Sequence, residues 1–232
     1  MRSKRYRQAL EKVDLKAVYP LQDAIKMLAD FPRAKFNETI DLAFRLGVDP
    51  RQSDQMVRGT VPLPHGTGQT VRVLVFAKSG EPAEAAKAAG AEFVGFEDLI
   101  KKCSDGWTDF DVAVATPEAM SEVRKLGKVL GPRGLMPNPK TGTVTQDTAK
   151  AVKEVKAGRV EFKIDKTGNI HVPVGKVSFN SQQIEENARA VIEAVDKARP
   201  SAAKGRYMLA CTLSTTMSPP VRVDLKPLGV HS

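Results

Sequence analysis

The sequence is poor in the residues from which disulfide frameworks and zinc sites are built. Its 232 residues include two cysteines, Cys103 and Cys211, and three histidines, His65, His171 and His231, all far apart. Two distant cysteines argue against a disulfide framework and favour a reducing compartment, and no Cys/His cluster has the spacing of a zinc site. We therefore expect neither a metal nor any other cofactor.

Long apolar runs are also missing, which bears on membranes and secretion. No stretch approaches the roughly 20 apolar residues that a membrane-spanning helix needs. Residues 1–7, MRSKRYR, are followed by no apolar segment, so we expect no signal peptide. The expected location is the cytoplasm, without a membrane partner.

Negative charge is in deficit at the two ends of the chain. The whole sequence has 36 Lys plus Arg against 27 Asp plus Glu, a formal net charge of +9. Residues 68–159 contain 14 basic and 12 acidic side chains, whereas residues 1–67 and 160–232 together contain 22 and 15. The net charge is thus +2 in the middle and +7 at the ends. Such an excess makes a polyanion the first partner to consider for the ends.

Strand and helix patterns alternate in the middle of the chain. Apolar, β-branched runs predict buried strands at 71–77, 92–94 and 111–115. Composition and end signals predict helices at 81–89, 96–103 and 117–126, the first ended by Gly90 and the last capped by Thr116. Alternation of strands with helices over this length is typical of βαβ units with a parallel sheet.

The two ends of the chain have a different pattern. Apolar and polar residues alternate over 39–48, 160–165 and 221–225, which predicts half-buried strands. Apolar residues recur at helical spacing from 184 to 195, after a cap at Asn180 or Ser181. Half-buried strands with amphipathic helices are typical of an α+β domain with an antiparallel sheet. We therefore predict a discontinuous α+β domain from residues 1–67 and 160–232, interrupted by an inserted α/β domain with a parallel sheet at 68–159.

An enzyme is the main alternative, with the middle of the chain binding a nucleotide. From Gly134 to Thr141 the sequence nearly spells a P-loop, but Pro139 stands where the second glycine is needed and cannot donate a backbone N–H. No dinucleotide fingerprint follows the 71–77 strand, and no Ser/His/Asp or Cys/His arrangement is recognisable. We therefore favour a protein that is not an enzyme.

A set of polar, basic and small residues at the chain ends points to RNA. Residues 35–39 lead into the first alternating strand, residues 163–171 surround a predicted hairpin turn, and Thr212, Ser214 and Thr216 share one strand face. Lysines pair with phosphates, and hydroxyl and backbone groups beside glycine can bond the 2′-OH groups of ribose. An ordinary solvated sheet face is the alternative, since Thr is common there as well.

Longer motifs also match those of a known protein family, from about residue 2 to about residue 226. They are FNET at 36–39, LGVDPR at 46–51, DQMVRGTV at 54–61, GPRGLMPNPK at 131–140, GRVEF at 158–162, DKTG at 165–168, PVGK at 173–176 and TTM at 215–217. Through these motifs the sequence resembles the bacterial ribosomal protein L-one family, the protein of the mobile lateral stalk of the large ribosomal subunit.

The resemblance implies a fold and a set of partners. The fold is an α+β domain from both chain ends with a Rossmann-like α/β insertion, joined by two connections that act as a hinge. The implied partners are large-subunit ribosomal RNA, exit-site transfer RNA whose release the protein assists, and its own operon messenger RNA, whose translation it represses. The family further implies a protein that is monomeric when free and located in the cytoplasm on the large ribosomal subunit. A free messenger-RNA regulator remains a second alternative.

The resemblance also implies which residues bind RNA. By motif, these are Lys35, Phe36, Thr39, Lys163, Asp165, Lys166, Thr167, Gly168, His171, Gly175, Lys176, Ser178, Thr215, Thr216 and Met217. Weaker contacts are expected from Arg133 and Lys140, with a rigid structural loop as the alternative. For Phe36 and Met217 the alternative to RNA contact is packing in the core. Ser218 departs from the family, which usually has a glycine here, and glycine adopts positive φ more readily.

Overall fold

The structure, a computed structural model, describes residues 3–78 and 80–229 and divides into two compact units. The first unit contains the described residues of both chain ends, up to Gly68 and from Val160 onward, and the second contains Gln69–Arg159. Each unit has hydrophobic clusters of its own, since no cluster combines residues of both. None of the helices in the described part of the chain is long and apolar enough to cross a membrane.

The described residues form eight α-helices and nine β-strands. The helices are α1 Lys4–Glu11, α2 Leu21–Ala29, α3 Glu81–Ala88, α4 Glu97–Ser104, α5 Met120–Val123, α6 Gly127–Leu130, α7 Thr148–Lys156 and α8 Ser181–Lys197. The strands are β1 Thr39–Leu46, β2 Arg58–Pro62, β3 Val73–Phe76, β4 Phe93–Gly95, β5 Val112–Ala115, β6 Arg159–Lys163, β7 Asn169–Lys176, β8 Met208–Thr215 and β9 Val221–Val223.

An antiparallel sheet of four strands forms the centre of the first unit. Its order is β7-β1-β8-β9, so β1 lies between two strands from the other end of the chain. The predicted alternation in β1 is confirmed, because Ile40, Leu42 and Phe44 are buried whereas the residues between them are not. Helices α2 and α8 pack against the buried face and complete one hydrophobic core. Strands β2 and β6 form a separate two-stranded sheet.

A parallel sheet of three strands, in the order β4-β3-β5, forms the centre of the second unit, as predicted. All four residues of β3 are buried, and they alternate between two clusters. Leu74 and Phe76 pack with residues of α4 and α6, whereas Val73 and Val75 pack with residues of α3 and α7. Helices therefore cover both faces of this sheet, which explains why β3 has a continuous apolar sequence and no alternation.

Two local predictions are wrong. The helix expected at 117–126 begins instead at Met120 and continues, through a 3-10 turn, to Leu130. Thr116 nevertheless caps this segment as predicted, because its hydroxyl accepts from the Ala119 N–H at 3.3 Å and its carbonyl accepts from the Met120 N–H at 3.1 Å, and residues 117–119 form the turn that leads into the helix. The turn after Lys163 exists, but it does not close a hairpin, because β6 pairs with β2 whereas β7 pairs with β1.

A buried amide ties the segment before the second unit to the core of the first. The Asn187 side chain is fully buried in α8. Its Oδ1 accepts from the His65 N–H at 3.1 Å, and its Nδ2 donates to the carbonyls of Gly66 at 3.0 Å and Val174 at 2.8 Å. The neighbouring Glu186 carboxylate lies 2.5 Å from His65 Nε2. These bonds hold the chain in place just before it leaves the first unit.

We predict that Asn187→Ala lowers the free energy of unfolding by about 2–4 kcal/mol. The carbonyl of the buried Val174 loses its partner, at a cost of about 1–3 kcal/mol, whereas the backbone groups of His65 and Gly66 are not buried and lose less. Urea denaturation followed by circular dichroism measures the loss. Lys197→Ala, an exposed position on the same helix, is the control and should change stability by no more than about 0.5 kcal/mol. Equal losses of stability from Asn187→Ala and Lys197→Ala would contradict the structural role of Asn187.

Candidate nucleic-acid interface

The turn between β6 and β7 is built around the carboxylate of Asp165. This carboxylate accepts hydrogen bonds from the backbone N–H groups of Thr167 and Asn169 and from the Thr167 hydroxyl, all at 2.8 Å. The bond from the Asn169 N–H, with those from Thr167, lowers the pKa of Asp165 to about 2. Lys166 and Thr167 are exposed at the tip of the turn. Asp165 thus holds the turn, and Lys166 is the charge that the turn presents to solvent.

A buried carboxylate, that of Glu38, connects the loops at the opposite end of the sheet. Glu38 is 4% exposed and accepts hydrogen bonds from the Ala34 N–H at 2.8 Å, the Thr215 hydroxyl at 2.5 Å and the Met217 N–H at 3.1 Å. Burial opposes ionisation, but these three bonds outweigh it and lower the pKa of Glu38 below its ordinary value. One carboxylate therefore holds both the loop before β1 and the turn after β8.

Further hydrogen bonds join the start of β1 to the ends of β7 and β8. Lys176 Nζ donates to the Thr39 hydroxyl at 2.7 Å, and the Thr39 N–H donates to the Thr216 hydroxyl at 3.1 Å. Asn37 Nδ2 donates to the Ser178 hydroxyl at 3.0 Å. Four of the expected RNA-binding residues, Thr39, Lys176, Ser178 and Thr216, thus take part in one group of loops.

We call residues 35–39, 176–178 and 215–218 the loop cluster. It leaves two large apolar side chains in solvent, since Phe36 is 54% exposed and Met217 is 48% exposed. Packing in the core, the alternative considered for both residues, is therefore wrong. Lys35 is exposed beside Phe36. The loop cluster offers apolar surface and positive charge on a hydrogen-bonded framework.

Three of the residues expected to bind RNA are buried. The Thr215 hydroxyl is bonded to Glu38, as described above. Gly168 adopts φ +84°, and its carbonyl accepts from the Leu46 N–H at 2.9 Å. A Cβ on Gly175 would lie 2.9 Å from the Phe179 ring, so only glycine fits there. These three residues position the loops and, being buried, offer no surface for contact with RNA.

Ser218 closes the turn after β8 and does not adopt a positive φ, the conformation that the glycine usual in the family would allow. No non-glycine residue in the described part of the chain has a positive φ, and this includes Ser218. The Ser218 hydroxyl accepts from the Thr215 N–H at 2.9 Å and donates to the Pro219 carbonyl at 3.0 Å. The serine thus stabilises the turn with its side chain, which a glycine could not do.

The expected residues form two groups and do not meet in one place. The loop cluster lies where β1 begins and β7 ends, whereas Lys166 and Thr167 lie where β7 begins. Strand β7 has eight residues, so the two groups are about 24 Å apart at roughly 3.4 Å per residue. His171 is exposed on β7 between them, and Lys163 is exposed at the end of β6.

The two secondary candidates lie in the second unit. Arg133 is exposed and its guanidinium donates to the Thr108 hydroxyl. Lys140 belongs to a 3-10 helix, Pro139–Thr141, and its side chain lies outside the described residues. The buried Thr141 hydroxyl donates to the Asn138 carbonyl at 3.1 Å. This segment follows α6 and no strand, so the P-loop resemblance does not extend to the structure.

The geometry offers little to a nucleotide or a metal. The crevice at the carboxyl ends of β3 and β5, where nucleotides bind in such folds, is lined by Lys78 but also by Glu81, Glu118 and Asp147. Three carboxylates against one lysine repel phosphate. Among the described residues, no group of His, Cys, Asp or Glu side chains could hold a metal ion.

Two residues of this site, Glu38 and Asn37, are absent from the expected contacts although they lie within the FNET motif. The alternation along β1 is the signal that identifies Glu38. Glu38 shares the even-numbered positions of Ile40 and Leu42, which lie on the buried side of β1, so the pattern already places a carboxylate toward the interior. The same alternation along β8 places Thr215 on the buried side with Leu213.

Comparison with known proteins gives a consistent result. A family model described as the ribosomal protein L1p/L10e family matches residues 28–219. The chain is also similar to the large ribosomal subunit protein uL1 of Chlorobium phaeobacteroides, with 56% identity over 223 residues. The aligned region covers 96% of this chain and 97% of that protein.

We predict that Glu38→Gln lowers the free energy of unfolding by about 1–3 kcal/mol at neutral pH, because the amide turns an N–H toward groups that need an acceptor. The folded pKa of Glu38 is lowered, so its contribution is complete above the unfolded value of 4.5 and is lost as the pH falls through the folded value. The stability gap between the two proteins should therefore close in acid. Glu193→Gln, on the exposed side of α8, is the control. A gap that persists unchanged at low pH would contradict this account.

Proposed function

We propose that this protein binds large-subunit ribosomal RNA through the first unit. The chain belongs to the ribosomal protein L1p/L10e family, so it is a structural ribosomal protein and not an enzyme. The nucleotide-binding enzyme considered above is thus wrong. The protein belongs to the large ribosomal subunit, in the cytoplasm, as does its relative, the large ribosomal subunit protein uL1.

The two units correspond to a discontinuous α+β domain and an inserted Rossmann-like α/β domain. Support comes from the separate hydrophobic cores and from the strand directions, antiparallel in the first sheet and parallel in the second. The first unit carries most of the net positive charge, since residues 1–67 and 160–232 hold 22 basic and 15 acidic side chains. The first domain is therefore the RNA anchor, and the second contributes contacts of lower affinity through Arg133 and Lys140.

The observation that carries the proposal is the exposure of Phe36 and Met217 on a rigid polar framework. An exposed aromatic ring and a flexible thioether are suited to stack on an unpaired base or on ribose. Lys35 and Lys166 attract phosphates, and the exposed Thr216 hydroxyl can donate to or accept from a 2′-OH. Specificity then arises from the fixed spacing of these groups, which Glu38 and Asp165 maintain.

Two finer roles follow from the family resemblance. The protein contacts transfer RNA leaving the exit site and assists its release, and it represses translation by binding its own operon messenger RNA where that RNA mimics the ribosomal site. Because one surface would serve both RNAs, a ribosomal fragment should compete with the messenger. Sedimentation with assembled large subunits distinguishes this role from that of a free messenger-RNA regulator.

We predict that Lys166→Gln flattens the salt dependence of binding to a large-subunit stalk RNA fragment. The slope of log Kd against log salt should fall by about one, because one phosphate contact is lost.

We predict that Thr216→Val instead weakens binding about tenfold, roughly 1.4 kcal/mol, and leaves this slope unchanged. Fluorescence anisotropy over a salt series measures both. Lys197→Gln, an exposed lysine on α8, is the control for charge. If Lys166→Gln and Lys197→Gln behave alike, the turn is not part of the interface.

We also predict that replacing residues 69–159 with a short Gly/Ser linker leaves the affinity for the stalk fragment within about tenfold, roughly 1.4 kcal/mol, of the whole protein. The reason is that the first unit keeps its complete core. Circular dichroism first establishes that the shortened protein folds. A folded variant that does not bind would place the anchor in the second unit.

A further inference from the structure

Large aliphatic side chains stand in solvent at one corner of the first unit. Val18 is 55% exposed and Leu209 is 41% exposed, and both line one hollow. Leu15, three residues before Val18, is exposed as well. Single apolar side chains are common on protein surfaces, whereas a group of them marks an interaction site. Leu209 lies at the start of β8 and the loop cluster follows its end, so the role proposed for the loop cluster does not account for this group.

The hollow lies where β8 begins and β9 ends. Its volume is about 280 Å³, and the buried residues Cys211 and Val223 line it together with Val18 and Leu209. Pockets that enclose small ligands measure roughly 300–1,000 Å³. The hollow is therefore suited to one or two side chains of a larger partner and not to a whole small molecule.

Three cationic residues, Arg206, Arg222 and Lys226, also line the hollow. All three are exposed, and none forms an ion pair with a carboxylate in the described part of the chain. One acidic residue, Asp224, lines the hollow as well, and its carboxylate accepts the Lys226 backbone N–H at 3.0 Å. Positive charge thus exceeds negative charge around an apolar centre.

The segment that contains Val18 closes the outer edge of the sheet beside the hollow. Strand β9 is the last strand, and Tyr19 pairs with it. The Tyr19 N–H donates to the Arg222 carbonyl at 2.9 Å, and the Asp224 N–H donates to the Tyr19 carbonyl at 2.8 Å. Because these backbone groups are occupied, a partner cannot add a strand to the sheet here and must bind through its side chains.

The backbone beside Arg206 is equally well anchored. The neighbouring Tyr207 is fully buried, and its hydroxyl donates to the Val195 carbonyl at 3.1 Å. The Tyr207 carbonyl accepts from the Gly47 N–H at 2.7 Å. Since ordered backbone supports the hollow on both sides, binding there would cost little conformational entropy.

The chemistry of the hollow favours an acidic protein segment over RNA. Unpaired bases are held mainly by stacking on aromatic rings, and no aromatic residue of the described chain lines the hollow. Aliphatic surface instead suits leucine, isoleucine or valine side chains, and the surrounding cations suit carboxylates, which arginine can bind bidentately. A segment that carries both kinds of side chain satisfies the whole hollow.

We infer that the hollow formed by Val18, Leu209, Arg206, Arg222 and Lys226 is a docking site for an acidic, amphipathic segment of another protein. The carboxylates of that segment pair with the three cations, and its aliphatic side chains fill the hollow. The inference goes beyond the proposed function and does not rest on it, because the loop cluster and the 165–169 turn contribute no residue to the hollow. Binding of RNA and binding of the segment can therefore fail separately.

The probe for this site is a fluorescein-labelled peptide, DELLEDLLEE, whose affinity for the full chain is measured by fluorescence anisotropy. The double variant Arg206→Gln, Arg222→Gln should weaken binding about tenfold, because two ion pairs are lost. The matched control, Lys26→Gln with Lys197→Gln, removes two exposed positive charges from α2 and α8 and should change the affinity by no more than about twofold. Circular dichroism establishes that each variant folds.

The apolar part of the hollow has its own variant. Val18→Ser should weaken binding of the peptide about fivefold, because the partner then buries less apolar surface. Met56→Ser, which changes an exposed apolar side chain in the loop before β2, is the control and should leave the affinity unchanged. A second peptide, DESSEDSSEE, keeps every charge and should bind about tenfold more weakly than DELLEDLLEE.

Several results would overturn the inference. Equal affinities of the two peptides would mean that the hollow attracts negative charge without recognising a segment. Equal behaviour of the two double variants would place peptide binding elsewhere. If the stalk RNA fragment displaces the peptide and itself binds the Arg206→Gln, Arg222→Gln variant more weakly, the occupant is RNA. Dimerisation in sedimentation equilibrium that Val18→Ser abolishes would make a second copy of the chain the occupant.

Discussion

The carboxylate of Glu38 is the interaction on which the candidate interface depends. It lies inside the protein, yet three hydrogen bonds keep it ionised and keep two distant loops together. The same bonds fix the backbone on which Phe36 and Met217 stand, and both side chains are about half exposed in this arrangement. Exposed apolar side chains are unfavourable in water. The framework is thus arranged for a partner and not for maximal burial.

The same physical solution occurs at both ends of the sheet. Asp165 in one turn and Glu38 in the other loops direct their oxygen atoms at backbone N–H groups. Acidic residues near an RNA site would normally repel phosphate, but here each negative charge is compensated by donors within its own loop. The outward side chains are then free to be basic, hydroxyl-bearing or apolar. This division explains how motifs that contain Glu38 and Asp165 can belong to a surface for RNA.

The regular elements were the most predictable part of this protein. Period-two alternation identified β1, and the apolar runs identified β3 and β5, since burial on one or two sheet faces imposes these patterns directly. Helix α2 was not predicted, although its apolar residues lie at helical spacing. At the site, motifs identified Phe36 and Lys166 as candidates, whereas the separation between the two groups of contacts depends on which strands pair. Pairing of β1 with β7 and β8 is long-range, and a single sequence carries no local signal for it.

The position of β1 has a consequence for how the protein is made. Glu38 and Thr215 are hydrogen-bonded across 177 positions of the chain, and β1 has no partner strand until β7 and β8 have been synthesised. During translation the first strand therefore waits, unpaired, while the second unit is completed and folds on its own local contacts. A polypeptide that ends before β8 lacks the loop cluster. If the proposed interface is the RNA site, truncated products would not compete with the finished protein for RNA.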